Sequence, residues 1–169
     1  MKTAHKPWKH IHLVAGLLVK HHHSTDPSML LGLRTSGVVG DLVMPVGGHL
    51  EENDLGIITG CKREIKEEAA LVPLNGMRVA QLRVKIIASR TKFIVDMILF
   101  TEWTGHLKNK SGEFHWLKFL KFSAFPWDKM PGEKQWYTDV LLKHKRRLVH
   151  ITCGKNRGDV LSVRISNLK

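Results

Sequence analysis

Residues 47–71 read GGHLEENDLGIITGCKREIKEEAAL, and the run REIKEE in the last third organises the rest of the chain. On a helix, residues three and four apart share a face, so Glu64, Glu67 and Glu68 project their carboxylates together. Like charges at that spacing destabilise a helix by roughly 0.2–0.5 kcal/mol per pair. Such a face is either solvated surface or a ligand set for a hard divalent cation such as Mg²⁺, which takes oxygen ligands and is often shared with substrate phosphates.

The same stretch predicts a helix over 54–70 that packs on a sheet. Asp54 is placed to cap its N-terminus. Gly47 and Gly48, just upstream, let the backbone approach whatever the carboxylates bind. The apolar face that would seat the helix on the sheet consists of Ile57, Ile58, Cys61 and Ile65.

The order of glycines, acids and REIKEE resembles the Nudix box, G-x5-E-x7-R-E-U-x-E-E-x-G-U with U apolar. The chain departs from the box in three ways. Asp54 replaces the first glutamate, eight residues rather than seven separate it from the arginine, and Ala70 replaces the late glycine. The extra residue falls near 56–60, where two glycines can absorb a bulge. The matching positions are Gly48, Arg63, Glu64, Ile65, Glu67 and Glu68.

The resemblance implies a hydrolase of phosphoanhydrides that depends on Mg²⁺ or Mn²⁺, since a bound metal ion polarises phosphoryl oxygens and activates water. Arg63 is expected to orient the carboxylates, by pairing with Glu67 or Asp54, rather than to touch the substrate. By resemblance, the expected metal ligands are the carboxylates of Glu64, Glu67 and Glu68 and the backbone carbonyl of Gly47.

The general base is left between two glutamates. Nudix enzymes often use a further glutamate from a downstream loop as a metal ligand or base. Glu113 is the candidate, because it follows a loop and precedes Trp116 and Leu117; the plain alternative is a surface acid at a strand end. Glu67 is the other candidate base, because the assignment varies within the family.

The C-terminal third is similar to the MutT-like oxidised-purine nucleoside triphosphatases of that family, in which a proline-containing turn leads into a Trp-bearing helix and a final hairpin. The likeness is incomplete where the base would bind, because Met130 stands for a Trp, and Gly132 and Glu133 stand for two aspartates. Core packing is the plain alternative for Met130 and Trp136. The expected substrate-binding residues are Arg34 for the phosphates, with Met44, Met130, Glu133 and Trp136 around the base.

Composition narrows the class of partner. The 169 residues are 43% hydrophobic, and two cysteines give no disulfide framework, so a cytoplasmic location is expected. No apolar run approaches the roughly 18 residues of a membrane span, so no membrane partner is expected. The net charge of +12 indicates an anionic partner, which a nucleotide or RNA would satisfy.

Three functions follow from these features. The first is hydrolysis of nucleoside triphosphates to the monophosphate and pyrophosphate, including oxidised ones such as 8-oxo-dGTP. The second is an RNA 5′-end pyrophosphohydrolase or decapping activity, suggested by the charge and by the basic run at 143–147. The third is a non-catalytic nucleotide- or RNA-binding module, suggested by the departures from the box. The oligomeric state is left unknown.

Periodicity and turn residues predict one domain over 1–169, with an α/β fold in which helices sandwich a mixed β-sheet; this agrees with the α/β/α sandwich that the resemblance implies. A glycine-containing loop is expected at 34–41. Helices are predicted at 54–70 and 133–147, and strands at 10–19, 29–33, 42–46, 81–87, 92–101, 113–120, 148–153 and 160–166.

Overall fold

The computed structural model describes residues 7–34 and 41–169. Within these ranges the chain forms eleven strands. In chain order they are β1 (Lys9–Lys20), β2 (Ser28–Arg34), β3 (Leu42–Met44), β4 (Val46–His49), β5 (Leu71–Pro73), β6 (Met77–Ile86), β7 (Thr91–Phe100), β8 (Trp103–Gly105), β9 (Phe114–Lys121), β10 (Arg147–Cys153) and β11 (Val160–Asn167).

Nine of the strands that the structure describes form one mixed sheet. The strand order is β11-β10-β6-β7-β1-β2-β3, with β4 also paired to β1 and β9 to β2. The β1–β7 and β10–β6 pairs are parallel, and the other pairs are antiparallel. The short strands β5 and β8 pair with each other in a second, small sheet.

Two α-helices of the described chain, α1 (Ile57–Ala69) and α2 (Lys134–Leu141), cover opposite faces of the large sheet. In β1, Val14 and Leu18 belong to the apolar cluster that contains Ile65 of α1. Leu17, between them, belongs to the cluster that contains Trp136 of α2. Because successive strand residues point to opposite faces, the two helices lie on different sides of β1. The predicted α/β fold with a mixed sheet is confirmed.

Most of the predicted strands agree with the structure. Six of them match to within one residue at each end, and β6 begins four residues earlier than predicted. The segment predicted at 42–46 is two strands, because the chain leaves β2 and moves to β1 at Pro45, which has no N–H to donate. The three-residue strands β5 and β8 were not predicted. Of the loop expected at 34–41, residues 35–40 lie outside the described residues.

The start of α1 differs from the prediction. The helix begins at Ile57, after Gly56 with φ +144°, and no side chain caps it. The capping role predicted for Asp54 is therefore wrong, because Arg63 holds that carboxylate instead. From Ile57 to Ala69 the helix is uninterrupted, so the extra residue of the box is accommodated before the helix rather than as a bulge inside it.

The second helix is about half as long as predicted, since it ends at Leu141 rather than at 147. Beyond it, His144 adopts a left-handed conformation with φ +50°, which stops helical continuation. Asp139 accepts hydrogen bonds from Lys143 Nζ at 3.1 Å and Arg147 Nε at 2.9 Å. These bonds hold the basic segment 143–147 against α2, and Arg147 is the first residue of β10. None of the described helices is long and apolar enough to cross a membrane.

Candidate active site

The two glycines of β4 lie directly against the acidic face of α1. The N–H of Gly47 donates to Glu68 Oε2 at 3.2 Å, and a Cβ at Gly48 would overlap the carboxylate of Glu64. The N–H and C=O of one strand residue leave the backbone on the same side, so the Gly47 carbonyl faces the side on which Glu68 lies. Three of the predicted metal ligands are therefore neighbours where β4 meets α1.

Arg63 links the acidic groups of this region. Its guanidinium forms a bidentate pair with Asp54, with Nε–Oδ1 at 3.1 Å and Nη2–Oδ2 at 2.9 Å. Its Nη1 donates to Glu64 Oε1 at 2.8 Å and to Glu67 Oε2 at 3.3 Å. Its Nη2 also donates to the carbonyl of His49 at 3.0 Å. One arginine thus fixes two carboxylates of α1 and the chain that follows β4.

Asp54 fits beneath the first turn of α1 because the residue above it has no side chain. A Cβ at Gly60 would stand 2.6 Å from Asp54 Oδ2. The Asp54 carboxylate also accepts the N–H of Glu51 at 2.9 Å. The hydrogen bonds from Arg63 and from Glu51 hold the pKa of Asp54 below its usual value, so it stays ionised as a partner for the arginine.

Glu68 is the most perturbed acid of the cluster. It is 6% exposed, and this burial raises its pKa to about 7. The positive charge of Arg34 and the N–H of Gly47 oppose the increase, while the negative charges of Glu64 and Glu67 add to it. Near neutral pH this carboxyl therefore exchanges a proton easily, and an added cation would favour its ionised form.

Arg34 and Glu113 form an ion pair at the edge of the same site. Arg34 ends β2 and Glu113 immediately precedes β9, and these strands are neighbours in the sheet. Both side chains line the same cavity as Gly47 and Gly48. The structure therefore brings both residues to the acidic cluster, although Glu113 is turned toward Arg34.

A cavity of about 480 Å³ begins at Gly47, Gly48 and the Arg34–Glu113 pair and extends across the sheet toward α2. Its walls include Met44, Met130 and Glu133, which were all predicted to bind substrate. Glu133 pairs with Arg157, whose Nη1 also donates to the carbonyl of Pro131 at 3.2 Å. The apolar floor comes from alternate residues of three strands: Ile11, Leu13, Ala15, Leu82, Val84, Ile86, Phe93, Val95 and Met97.

No protein-family model matches the chain, and no curated protein matches it significantly. Solved structures do match. A mutator MutT protein from Bacillus halodurans superposes with a TM-score of 0.70 at 21% identity, over 92% of this chain and 97% of that one. A MutT Nudix hydrolase from Burkholderia pseudomallei gives 0.61 at 14% identity, over 70% and 88%. The Nudix domain of Shewanella oneidensis NrtR, solved with ADP ribose, gives 0.57 at 16%, over 73% and 79%.

The chain has the Nudix fold. The residues that resemble the Nudix box accordingly span the end of β4, the following loop and α1. The third departure, Ala70, has φ +57° and ψ +21°, which is the left-handed conformation that glycine adopts most readily at a helix C-terminus. The box usually has glycine at this position because glycine adopts the left-handed conformation without strain. Ala70 adopts the same conformation in this chain with backbone strain.

The donor chemistry of this Nudix fold fits a hard divalent cation. Glu64, Glu67, Glu68 and the Gly47 carbonyl supply only oxygen, which Mg²⁺ and Mn²⁺ prefer. Within 7–34 and 41–169, no three His, Cys, Asp or Glu side chains converge closely enough to hold an ion as they stand. Arg63 binds Oε1 of Glu64 and Oε2 of Glu67, which leaves the second oxygen of each carboxylate available to a cation.

The prediction for Trp136 is not supported by its position. Its side chain is fully buried, and it is stacked on Tyr137 with ring centroids 3.8 Å apart, away from the cavity walls. Tyr137 lines the cavity instead, because it lies one helical turn after Glu133 and shares its face. That spacing was a usable sequence signal.

Arg157 is a further cavity residue that the sequence did not indicate. It lies in the turn between β10 and β11, and it reaches Glu133 only because the final hairpin packs beside the start of α2. No local pattern reports such a contact. A cation inside a glycine-bounded turn was the only hint.

Proposed function

We propose that the protein is a Nudix hydrolase that uses Mg²⁺ or Mn²⁺ to cleave nucleoside triphosphates to the monophosphate and pyrophosphate. The observation that carries this proposal is that Gly47 and Gly48, which lie against Glu68 and Glu64, line one end of the apolar cavity together with Arg34 and Glu113. A charged, oxygen-rich end suits phosphates, and an apolar slot suits a base and sugar.

Each residue of the site has a separate role in the proposed reaction. Glu64, Glu67, Glu68 and the Gly47 carbonyl hold the metal, which supplies Lewis-acid charge stabilisation and activates water when bound. Arg63 positions Glu64 and Glu67 through its hydrogen bonds. Arg34 neutralises phosphate charge, releasing Glu113 from their pair. Glu67 or the released Glu113 then accepts a proton from the attacking water.

The far end of the cavity favours a purine with a guanine-type edge. Met44 and Met130 offer polarisable surface to a base, and Tyr137 forms part of the same wall. Glu133 presents an acceptor beside the donor Arg157. A guanine-type edge presents N–H donors beside a carbonyl acceptor, which is the complementary pattern. Oxidised guanine nucleotides retain this edge and are included in the proposal.

An activity at the 5′ end of RNA is the second candidate. It is favoured by the net charge of +12, since excess positive charge raises the local concentration of polyanions such as RNA. The same metal and phosphate groups would act, and the strand would extend out of the cavity.

The test is release of pyrophosphate and phosphate from ordinary and oxidised NTPs and dNTPs, ADP-ribose, and triphosphorylated and capped RNA, with Mg²⁺ and with EDTA. Pyrophosphate release from guanine-type triphosphates that EDTA abolishes would support the proposal. Turnover of RNA alone would establish the second candidate. Hydrolysis of ADP-ribose alone would identify as the substrate the ligand that was solved with the NrtR domain, and would contradict the triphosphate proposal. Lack of turnover with every substrate would contradict both enzyme proposals.

A further inference from the structure

In the part of the chain that the structure describes, the part of one sheet face that lies beside α1 is open to solvent. α1 packs on the C-terminal parts of β1 and β7, through Val14, Leu18, Ile98 and Phe100. The N-terminal parts of β1 and β7, together with β6, β10 and β11, are covered on that side by neither α-helix of the described residues. Because alternate strand residues point to opposite faces, the residues on this side are those that do not line the cavity or the core.

The strand registers arrange these residues in two rows across five strands. Cross-strand partners on one face lie about 4.5–5.5 Å apart, so each row is continuous. We call the two rows together the open face. The first row is Arg164, His150, Arg83, Ile94 and His12, and the second is Ser162, Thr152, Lys85, Lys92 and His10. All of these side chains are exposed except that of Thr152, which is half-buried.

The open face carries positive charge and contributes no carboxylate of its own. Lys85 and Lys92 stand directly opposite each other on β6 and β7, an arrangement that destabilises a strand pair. None of the ten side chains is a carboxylate. In the adjoining row, Asp96 is only 2% exposed and is already paired with Arg78 and His12. An exposed like-charge pair of this kind favours a polyanionic ligand.

An aromatic side chain stands at the edge of the cationic row. Trp8 is partly exposed, with Lys85 Nζ 4.9 Å, Arg90 Cζ 5.2 Å and Lys92 Nζ 5.2 Å from its ring centroid. Cations that follow a backbone, combined with an aromatic surface, are the elements of single-strand recognition. Hydroxyl and imidazole groups of the same face add hydrogen-bonding capacity. An anionic lipid surface would use the charge but not this combination.

We propose that the open face binds single-stranded nucleic acid, with Lys85, Lys92, Arg83 and Arg164 on phosphates and Trp8 against a base. Five strands about 4.8 Å apart span roughly 19 Å, which suits a segment of about four nucleotides or more. This surface is separate from the cavity, since Trp8, Lys85 and Lys92 do not line it. The proposal therefore does not depend on the hydrolase activity.

The test is fluorescence anisotropy of the full chain with a fluorescein-labelled octa-uridine at 50 and 200 mM salt. The double variant Lys85→Glu/Lys92→Glu keeps a like-charge pair, so cross-strand repulsion is matched. Trp8→Ala tests the aromatic contact. The control is Lys108→Glu/Lys110→Glu, which changes the net charge by the same amount at exposed positions in the loop between β8 and β9. Circular dichroism verifies that each variant is folded.

We expect the Lys85/Lys92 variant to raise the Kd at least tenfold and to lower the salt slope by about 1.4, which corresponds to two lost phosphate contacts on a single strand. Trp8→Ala should raise the Kd about fivefold or more without changing that slope. The control should stay within twofold. Equal weakening by both charge variants would overturn the proposal, since binding would then follow net charge alone.

Three further results would also overturn it. They are equal or tighter binding of a duplex of the same length, equal or tighter binding of phosphatidylserine vesicles, and no octa-uridine binding at 50 mM salt. Nucleotide hydrolysis by the Lys85/Lys92 variant, measured in parallel, should equal that of the wild type. A failure of the hydrolase proposal is thereby distinguished from a failure of this one.

Discussion

At the scale of single residues, the adjacent glycines of β4 have different structural roles. A Cβ at Gly47 would overlap the backbone of Val14 and Ala15, which cannot move without displacing β1. A Cβ at Gly48 would overlap only the end of the Glu64 side chain, which can rotate away. The absence of a side chain at Gly47 is therefore required for the packing of β4 on β1. The absence of a side chain at Gly48 is required for the position of the Glu64 carboxylate.

This difference gives the first prediction. Gly48→Ala should remain folded but bind Mn²⁺ about tenfold more weakly, because displacing a ligand or its support typically costs that much metal affinity. Gly47→Ala should instead lower the melting temperature markedly. Thermal denaturation and a Mn²⁺ titration followed by electron paramagnetic resonance separate the two effects. Wild-type Mn²⁺ affinity in Gly48→Ala would argue against Glu64 as a ligand.

The second prediction concerns Glu68. Its pKa is about 7 in the folded chain, mainly because it is buried, against 4.5 for an unperturbed glutamate. Between these values the folded state keeps a proton that the unfolded state releases, so the free energy of unfolding of the metal-free protein should fall as pH rises from 4.5 to 7. Urea denaturation in EDTA across this range measures the decrease. Glu68→Gln should flatten it, and an unchanged slope would show that the decrease has another origin.

Site residues differ in how visible they are from the sequence. The acids of α1 and Arg63 could be placed because helical spacing is local, and the structure indeed joins Arg63 to both Glu67 and Asp54. Arg157 could not be placed, since its partner Glu133 lies 24 residues away and meets it only after the final hairpin forms. The roles of Arg63 and of the α1 acids in catalysis and metal binding stay predictions.

At the scale of elements, the C-terminus of α1 leads to the third prediction. Ala70 adopts φ +57° and donates its N–H to the Lys66 carbonyl at 3.2 Å. This left-handed conformation costs a residue with a Cβ about 1–2 kcal/mol. Ala70→Gly removes this strain, while the added freedom of the unfolded chain offsets about 0.4–1 kcal/mol. The net gain should be about 0.5–1 kcal/mol.

Differential scanning calorimetry should show this gain as an increase of about 1–4 °C in Tm. Ala69→Gly is the matched control, because Ala69 is fully buried inside the same helix turn. That change should destabilise the protein by about 1 kcal/mol or more, through backbone entropy and lost packing. If both variants lower Tm, strain at Ala70 is not the relevant quantity.

Elements were predictable where their signal was local and sustained. The long strands β1, β7 and β9 follow from runs of apolar and alternating residues. The end of α2 did not follow, because the segment 143–147 is rich in good helix formers, and only its tertiary bonds to Asp139 turn it toward β10. Strands of three residues, such as β5 and β8, carry too few positions for a periodicity to appear.

At the scale of the whole molecule, the large sheet separates two environments. One face bears the apolar cavity, with the Arg34–Glu113 pair at one end and the Glu133–Arg157 pair at the other. The other bears α1 and the open face. Arg83, Lys85, Lys92 and Arg164 of the open face contribute to the net charge of +12 without lining the cavity. Overall charge, read from composition, indicated an anionic partner but could not indicate that two surfaces would offer a site for one.

The most direct measurement is the rate of pyrophosphate release from a guanine-type triphosphate with Mg²⁺, for the wild type, Glu67→Gln and the control Glu102→Gln. The Glu67 side chain is 59% exposed, so its substitution should leave the fold intact. Glu102 lies exposed between β7 and β8. We predict that Glu67→Gln lowers turnover about 10²–10⁴-fold, with unchanged circular dichroism, while Glu102→Gln keeps the wild-type rate. A Glu67→Gln protein that hydrolyses the nucleotide at the wild-type rate would contradict the proposed site.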